Sequence, residues 1–510
     1  MSQASSISKV LERGAKTACA IGAPGGVPPL TYAKLLDLTS KTQHILNAVG
    51  IGRGDRVAIV LPNGPEMAAA FVSIGASATT APLNPSYRAE EFEFYLGDVK
   101  AKAMVLEAGS DSPARAIAQK LAIPILELKP QRTEGAGYFS ITPLDGMRGT
   151  VARGGFAETE DEALVLHTSG TTSRPKIVPL LQRNVLASAE HIGATLALTP
   201  EDVCLNIMPL FHIHGLIAAT LSSLVAGGQV WCTPGFNALK FFGWLDEVRP
   251  TWYTCVPTMH QAILGRADRN REVLARSRLR FIRSSSASLP AQVMLELEKT
   301  FGVPVIESYG MTEAAHQMAS NPLPPRPRKP GSVGVAAGPE VAILDEAGEL
   351  LERGRIGEVA IRGPNVTPGY EANPEANSKA FTNGWFRTGD QGVLDDEGYL
   401  RLTGRLKELI NRGGEKISPL EVDEVLMDHP AVAQVVTFGV PHDKLGEDIA
   451  AAVVLRDGQT ATERELRDFA ATRLADFKVP RKILILGEIP KGATGKLQRI
   501  GLASKLGLVP

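Results

Sequence analysis

Apolar and polar positions along the chain follow two periods, and the periods alternate. Residues 32–48 carry apolar side chains at helical spacing, and residues 56–61 form a β-branched, apolar run. Residues 65–77 open with Pro65, which suits the first turn of a helix, and continue with Met, Ala, Phe and Ile. Residues 78–83 read as a strand and residues 88–99 as another helix, and similar alternation recurs over residues 184–305. Strands spaced by helices predict a mostly parallel sheet with crossover connections. Over residues 331–401 the pattern changes to short strands and glycine-rich turns, such as 341–344 and 358–362, which predicts a small β-rich subdomain.

After Arg405 the character shifts again. The pattern predicts an amphipathic helix over 418–427, strands over 434–440 and 449–455, a helix over 462–474 and a last strand over 482–486. That makes a compact α+β unit of roughly 100 residues, an ordinary domain size. The boundary falls between Leu406 and Lys407, giving a large α/β domain over 1–406 and a small domain over 407–510. Residues 322–330, dense in Pro and Arg, read as an extended surface loop.

Composition narrows the function classes. The 510 residues carry 54 basic and 55 acidic side chains, a formal net charge of −1, so there is no polybasic arm and nucleic acid is not an expected partner. Residues 203–239 contain no Asp, Glu, Lys or Arg, but Pro209, His212, His214, Gly215, Gly227, Gly228 and Pro234 interrupt them. A spanning helix needs about 20 continuous apolar residues, so this stretch reads as buried α/β core and no membrane span is expected. Cys19, Cys204, Cys232 and Cys255 are widely scattered, with no C-x-x-C pair. With no secretory signal in the polar N-terminus, a reducing, cytoplasmic location is the simple inference.

The chemistry concentrates in loops. Thr168, Ser169, Gly170, Thr171 and Thr172, with Lys176 shortly after, follow the strand-like 163–166. Exposed backbone N–H groups, hydroxyl donors and a point positive charge suit a polyphosphate. The spacing is not that of a Walker A loop. Taken alone, a Ser/Thr-rich surface turn would explain it. Further along come Tyr309-Gly310-Met311-Thr312-Glu313, Arg387-Thr388-Gly389-Asp390, Gly404-Arg405-Leu406-Lys407-Glu408 and Pro490-Lys491-Gly492-Ala493-Thr494-Gly495-Lys496.

In this order and spacing, from about Leu30 to Lys496, these loops resemble the acyl-adenylate-forming superfamily of acyl-CoA synthetases, luciferases and peptide-synthetase adenylation domains. The resemblance implies a fold of stacked, mostly parallel α/β sheets with a β-rich subdomain and a small, mobile C-terminal α+β domain. It also implies ATP, Mg²⁺ and coenzyme A as reactants or cofactor. The 168–172 loop and Lys176 would cradle the β- and γ-phosphates; Thr312 would donate to the α-phosphate, and Glu313 would hold Mg²⁺. Tyr309 would offer adenine an aromatic face, with Ser286, Ala287, Glu307 and Ser308 lining the same base pocket. Asp390 would accept from the ribose hydroxyls, assisted by Arg405. Lys496 would neutralise charge building on the α-phosphate and the attacking carboxylate. The position of His212 gates the acyl pocket in the family. Lys407 is implied as a hinge, and Gly413 and Gly414 as the backbone that approaches the CoA pantetheine.

His212-Ile213-His214 also invites a metal reading, but no third ligand cluster accompanies it, and zinc sites need three or four. The acyl pocket is more telling. Residues 283–289 read Arg-Ser-Ser-Ser-Ala-Ser-Leu, and Ala314-Ala315-His316-Gln317-Met318 follows Glu313. Together with the 167–176 loop this resembles the oxalate–CoA ligase branch of the superfamily. A narrow pocket rich in donors suits a second carboxylate, and unpartnered buried hydroxyls would be costly around a fatty chain. Ser285, Ser286, His214 and His316 are therefore expected to face the distal carboxylate, with Ser285 narrowing the floor. The serines could instead serve backbone groups in a turn. Malonate, acetate, another short acid or a small aryl acid are the rival substrates, a carrier-protein pantetheine is the rival to CoA, and a non-catalytic nucleotide-binding regulator is the rival class.

Overall fold

A computed structural model describes residues 6–144, 147–168, 175–492 and 495–509. The large domain stacks two sheets. The seven-stranded sheet runs, edge to edge, Phe139–Pro143, Ile125–Pro130, Ala103–Glu107, Arg56–Val60, Thr79–Pro82, Glu162–His167, Ile177–Leu181. Its inner strands pair in parallel and only its two outermost pairs are antiparallel. In the nine-stranded sheet, Val305–Met311, Phe281–Ser284, Trp252–Cys255, Val203–Asn206, Gln229–Cys232 and Cys19–Gly22 lie side by side, all parallel. Inner strands of such sheets are covered on both faces, which is why they read as continuous apolar runs.

The helix Pro65–Gly75 shows what joins the two sheets. It packs on strands of both, and every residue from Met67 to Gly75 is buried. Its sequence, Met-Ala-Ala-Ala-Phe-Val-Ser-Ile-Gly, has no polar face beyond one serine, as a helix enclosed on all sides requires. Ser73 meets the Thr39 hydroxyl at 3.2 Å, so that one polar group is satisfied. Removing Phe71, fully enclosed here, would cost about 3–5 kcal/mol.

The β-rich subdomain is an antiparallel five-stranded sheet built on Glu340–Leu344, Gly357–Arg362, Trp385–Leu394 and Leu400–Arg405. The C-terminal unit is α+β, with the helices Pro419–Met427 and Glu463–Ala471 on a sheet of Ile410–Arg412, Glu415–Ile417, Val432–His442, Gly446–Leu455 and Lys482–Ile485. The expected boundary lies inside the short 3₁₀ turn Leu406–Glu408. Small-domain side chains such as Ile417, Leu426 and Val435 join an apolar cluster with Ile263, Val293 and Leu297 of the large domain. Gln261 Nε2 also donates to the Ala433 carbonyl at 2.8 Å, so the small domain is docked on the large one.

The charge-free 203–239 stretch is interior, as its composition suggests, but part of it takes a form the sequence pattern does not reveal. His214–Leu221 is a π-helix, entirely buried. Such wide turns are rare and gather at functional sites. Gly215 is required near its start, because a Cβ there would lie 2.4 Å from the Pro209 carbonyl oxygen.

Candidate active site

The described parts of the loops that resemble one family in sequence gather around the C-terminal end of the strand Val305–Met311, and ligands of open α/β sheets bind at such strand ends. The strand Val305–Met311 delivers Glu307, Ser308 and Tyr309, and the 3₁₀ turn Thr312–Ala314 follows it directly. From the β-rich sheet, Asp390 lies opposite Arg405 in register. Tyr309 donates its hydroxyl to Asp390 Oδ2 at 2.5 Å, and Arg405 Nε donates to Oδ1 at 2.9 Å. Asp390 is buried, and these two partners fix the plane of its carboxylate. Arg405 is pushed further above its ordinary value chiefly by the Asp390 charge.

Glu307 is buried too. Its Oε1 accepts the Leu289 N–H at 2.8 Å and its Oε2 has no partner; burial raises its carboxyl to about 8. Ala287 is exposed at the mouth of the same wall and Ser286 half-buried. Ser308 donates its hydroxyl to the Ser284 carbonyl at 3.3 Å.

On the phosphate side, Thr168 and Lys176 are described, whereas Ser169, Gly170, Thr171 and Thr172 lie outside the described residues. Thr168 N–H donates to the Lys176 carbonyl at 3.0 Å, closing the base of the loop. The Lys176 ammonium sits 4.1 Å above the Tyr370 ring centroid, and Tyr370 donates its hydroxyl to Glu313 Oε1 at 2.8 Å. Burial raises the Glu313 carboxyl, opposed by that hydrogen bond and by Arg405 and Lys176. Thr312 is half-buried beside it. Among the described residues no three His, Cys, Asp or Glu side chains gather as a metal cage. A single carboxylate is what Mg²⁺ uses when phosphates and water supply its remaining ligands, so Glu313 fits that ion.

Lys496 reaches this cleft from the small domain. Thr258 Oγ1 of the large domain donates to the Gly495 carbonyl at 2.7 Å, docking the loop one residue before the lysine. Burial, with Arg405 beside it, pulls the Lys496 ammonium down to about 8, and Asp390 opposes. Its positive charge also helps hold His212, His214 and His316 below their ordinary values, after burial as the leading cause. His212 Nδ1 accepts the His214 backbone N–H at 3.3 Å, so the imidazole carries its proton on Nε2.

The residues expected to face the acid centre on two imidazoles, His214 and His316, with ring centroids 5.0 Å apart. His214, at the head of the π-helix, contacts the Ser286 hydroxyl through Nδ1 at 3.0 Å and the Thr254 hydroxyl through Nε2 at 2.6 Å. His316 is buried on the adjacent strand. Gly310 permits its close approach, since a Cβ there would fall 1.8 Å from the His316 carbonyl oxygen. Ser286, Ala315 and His316 all have positive φ, at 75°, 47° and 107°. Non-glycine residues held there cost on the order of 1–3 kcal/mol each and cluster at functional sites. Ser285 differs from its expected place on the pocket floor: it is fully buried and donates its hydroxyl to the Ser308 carbonyl at 3.0 Å, clamping the turn to the neighbouring strand.

Lys407 is exposed in the 3₁₀ turn, near enough to Lys176 for their charges to repel. Gly413 and Gly414, at φ 62° and 97°, form an exposed turn in the small domain. Their N–H groups donate to the Leu445 carbonyl and Asn411 Oδ1, so their hydrogen bonds stay within that domain.

The family model for AMP-binding enzymes matches residues 10–371, and that for their C-terminal domain matches residues 421–496. The chain belongs to the AMP-binding enzyme family. Among curated AMP-binding relatives, the oxalate–CoA ligase of Arabidopsis thaliana is 48% identical over 92% of each chain. The oxalate–CoA ligase of Saccharomyces cerevisiae is 44% identical over 88% of this chain and 86% of its own. The ATP-bound crystal structure of MatB from Rhodopseudomonas palustris superposes with a TM-score of 0.85 at 30% identity, over 96% of both chains.

Sequence reasoning missed three contributors to the site of this AMP-binding enzyme. Tyr370, which ties Glu313 to Lys176, stands outside the ordered loops and gave no local signal. Thr254 looked like an ordinary strand residue. Arg283 carried a signal that went unread: a charged residue inside an apolar strand of a parallel sheet, where charges are rare unless paired.

Proposed function

We propose that the acid activated by this AMP-forming acid–CoA ligase is oxalate. The observation that carries the reading is the cluster of buried His214 and His316 with half-buried Ser286 beside Lys496, hydrogen-bonding side chains gathered at one place. The two relatives above, both named for oxalate, support it.

In the first step an oxalate carboxylate oxygen attacks the α-phosphorus of ATP, the bond to the bridging β-phosphate oxygen breaks, and pyrophosphate leaves. Lys496, Thr312 and Lys176 are proposed to balance the charge that builds on the phosphates. Tyr309, Ser286, Ala287, Glu307 and Ser308 would bound the adenine, and Asp390 with Arg405 would hold the ribose. Mg²⁺, held by Glu313 when bound, would screen phosphate charge. In the second step the CoA sulfur attacks the carbonyl carbon, the bond to the AMP phosphate oxygen breaks, AMP leaves with that electron pair, and the thiol proton is released. His212, neutral and half-buried between the acyl pocket and Lys496, is proposed to gate the approach. Rotation about Lys407 would withdraw Lys496 and bring Gly413 and Gly414 to the pantetheine.

Pyrophosphate release, followed with and without CoA, tests this on oxalate, malonate, acetate and a medium-chain fatty acid. Wild type should prefer oxalate by a wide margin, since a site built to bond a polar group rejects analogues lacking it. His316→Ala should lower kcat/KM for oxalate roughly 10- to 150-fold, the worth of one hydrogen bond to a charged group, and affect acetate much less. A preference for the fatty acid, or release of ADP and inorganic phosphate, would overturn the assignment.

A further inference from the structure

Arg283 lies in the strand Phe281–Ser284, fully buried, in register with Thr254 on one side and Ile306 on the other. Buried arginines are normally paired with carboxylates, because an uncompensated buried charge is strongly destabilising. Among the described residues no Asp or Glu forms an ion pair with it or contributes to its charge balance. Its Nε has no hydrogen-bond partner. The remaining nitrogens make only long contacts: to Thr254 Oγ1 at 3.4 Å, His316 Nδ1 at 3.5 Å and Gln317 Oε1 at 3.3 Å. Burial lowers the guanidinium to about 9, so it remains charged at neutral pH.

Those contacts lead to both imidazoles of the acyl pocket. A guanidinium has no acceptor atom, so His316 Nδ1 accepts and the neutral ring carries its proton on Nε2. Thr254 Oγ1 likewise accepts from Arg283, and among the described residues the one acceptor within reach of the buried threonine's own hydrogen is His214 Nε2 at 2.6 Å. His214 then carries its proton on Nδ1 and donates it to Ser286 Oγ at 3.0 Å, freeing the serine hydrogen. Both arms end in a donor. Arg283 also helps keep both rings uncharged.

We propose that Arg283 is the positioning residue that makes the acyl pocket selective for a doubly charged short acid. It sets the tautomers of His316 and, through Thr254, of His214, so that the pocket offers only donors. It also supplies the one buried positive charge on the acyl side that the second carboxylate offsets. This rests on the reading of the His214–His316–Ser286 cluster as the acyl site. A monocarboxylate of the same size would leave that charge without a counter-ion.

The test compares oxalate with oxamate, which replaces the second carboxylate by a neutral amide of nearly equal shape. The KM for oxalate, the inhibition constant of oxamate against it, and the KM for ATP are measured on wild type, Arg283→Gln and Arg283→Lys. Thermal melting with and without ATP reports folding. In Arg283→Gln the ratio of the oxamate constant to the oxalate KM should fall at least tenfold, and toward 100-fold, through weaker oxalate binding, with the ATP KM unchanged. Arg283→Lys, which keeps the charge, should hold that ratio within about tenfold of wild type. A folded glutamine variant that retains the wild-type ratio overturns the proposal. So does a folded lysine variant that loses all discrimination, which decides the matter if the glutamine variant does not fold. A wild type that does not turn over oxalate at all would instead strike the acyl-site reading on which the proposal stands.

Discussion

The nucleotide end and the acyl end of the cleft treat charge in opposite ways. At the nucleotide end, Asp390 already has Tyr309 and Arg405, and Glu313 has Tyr370, so each carboxylate is held in one orientation by its own neighbours. At the acyl end a buried guanidinium faces neutral imidazoles and hydroxyls with no carboxylate among the described residues. A carboxylate fixed by its neighbours, as Asp390 is, suits the ribose hydroxyls it is proposed to orient. An unoffset cation suits an anion small enough to reach it. Lys496 stands between the two ends and is electrostatically coupled to both, to Asp390 and Arg405 on one side and to His212, His214 and His316 on the other.

Removing that intermediary should have the largest effect. Lys496→Ala is expected to slow adenylation on the order of 100-fold or more, as loss of a charged contact in a dry site does. Thioester formation from supplied acyl-adenylate should survive. The wild-type pH profile sharpens the same point. In its proposed role the lysine acts when protonated, and it is held at about 8, so kcat/KM for ATP should be full below that pH and fall as pH rises through it. An alanine variant that loses both half-reactions equally would break the division between the ends, as would a wild-type profile flat to pH 10.

An intermediate effect is expected at the joint between the domains. Lys407→Pro fixes φ at a residue whose exposed side chain makes no hydrogen bond among the described residues. With the docked arrangement held by Thr258 and Gln261, adenylation should continue while thioester formation falls on the order of tenfold or more. Single-turnover measurement of each half-reaction checks it. A proline variant fully active in both would remove the hinge from this residue.

The two ends also differ in how much of them could be read from sequence. The nucleotide end is made of short loops, each a compact motif in the chain, and the family resemblance carried by their order is what led to the expectation of Tyr309, Thr312, Glu313 and Arg405 in one site, although the loops themselves lie far apart in sequence. Element types were legible for the same local reason: the helix Tyr32–Ala48 and the strands Arg56–Val60 and Gly357–Arg362 follow their periods. The acyl end depends on side chains meeting across the sheet. Thr254, Arg283 and His316 come from three strands, and only the pairing of the sheet, parallel from Thr254 through Arg283 to Val305–Met311 and antiparallel from there to the strand of His316, brings them together. The π-helix that presents His214 arises from packing, since its residues are apolar all round and carry no period that distinguishes it from an α-helix.

Ser285 and Ser286 give the finest form of the comparison, because two identical residues, adjacent in sequence, are put to different uses. Ser285 has backbone that continues the strand and spends its hydrogen on the Ser308 carbonyl. Ser286 turns to φ 75° and meets His214 instead. No sequence pattern separates them; the turn does. Ser285→Ala should therefore cost stability, about 1–3 kcal/mol for a buried carbonyl left without its donor, with kcat/KM for oxalate nearly unchanged in the folded fraction. Ser286→Ala keeps a Cβ at the same positive φ and so adds no new backbone strain. It should leave the melting temperature nearly unchanged while lowering kcat/KM for oxalate several-fold, up to roughly tenfold, for one neutral hydrogen bond. Melting curves and kcat/KM on the two variants decide it. If Ser285→Ala were the more damaging to oxalate turnover, the turn would present its side chains the other way round, and the donor path from Arg283 through His214 would end at the wrong serine.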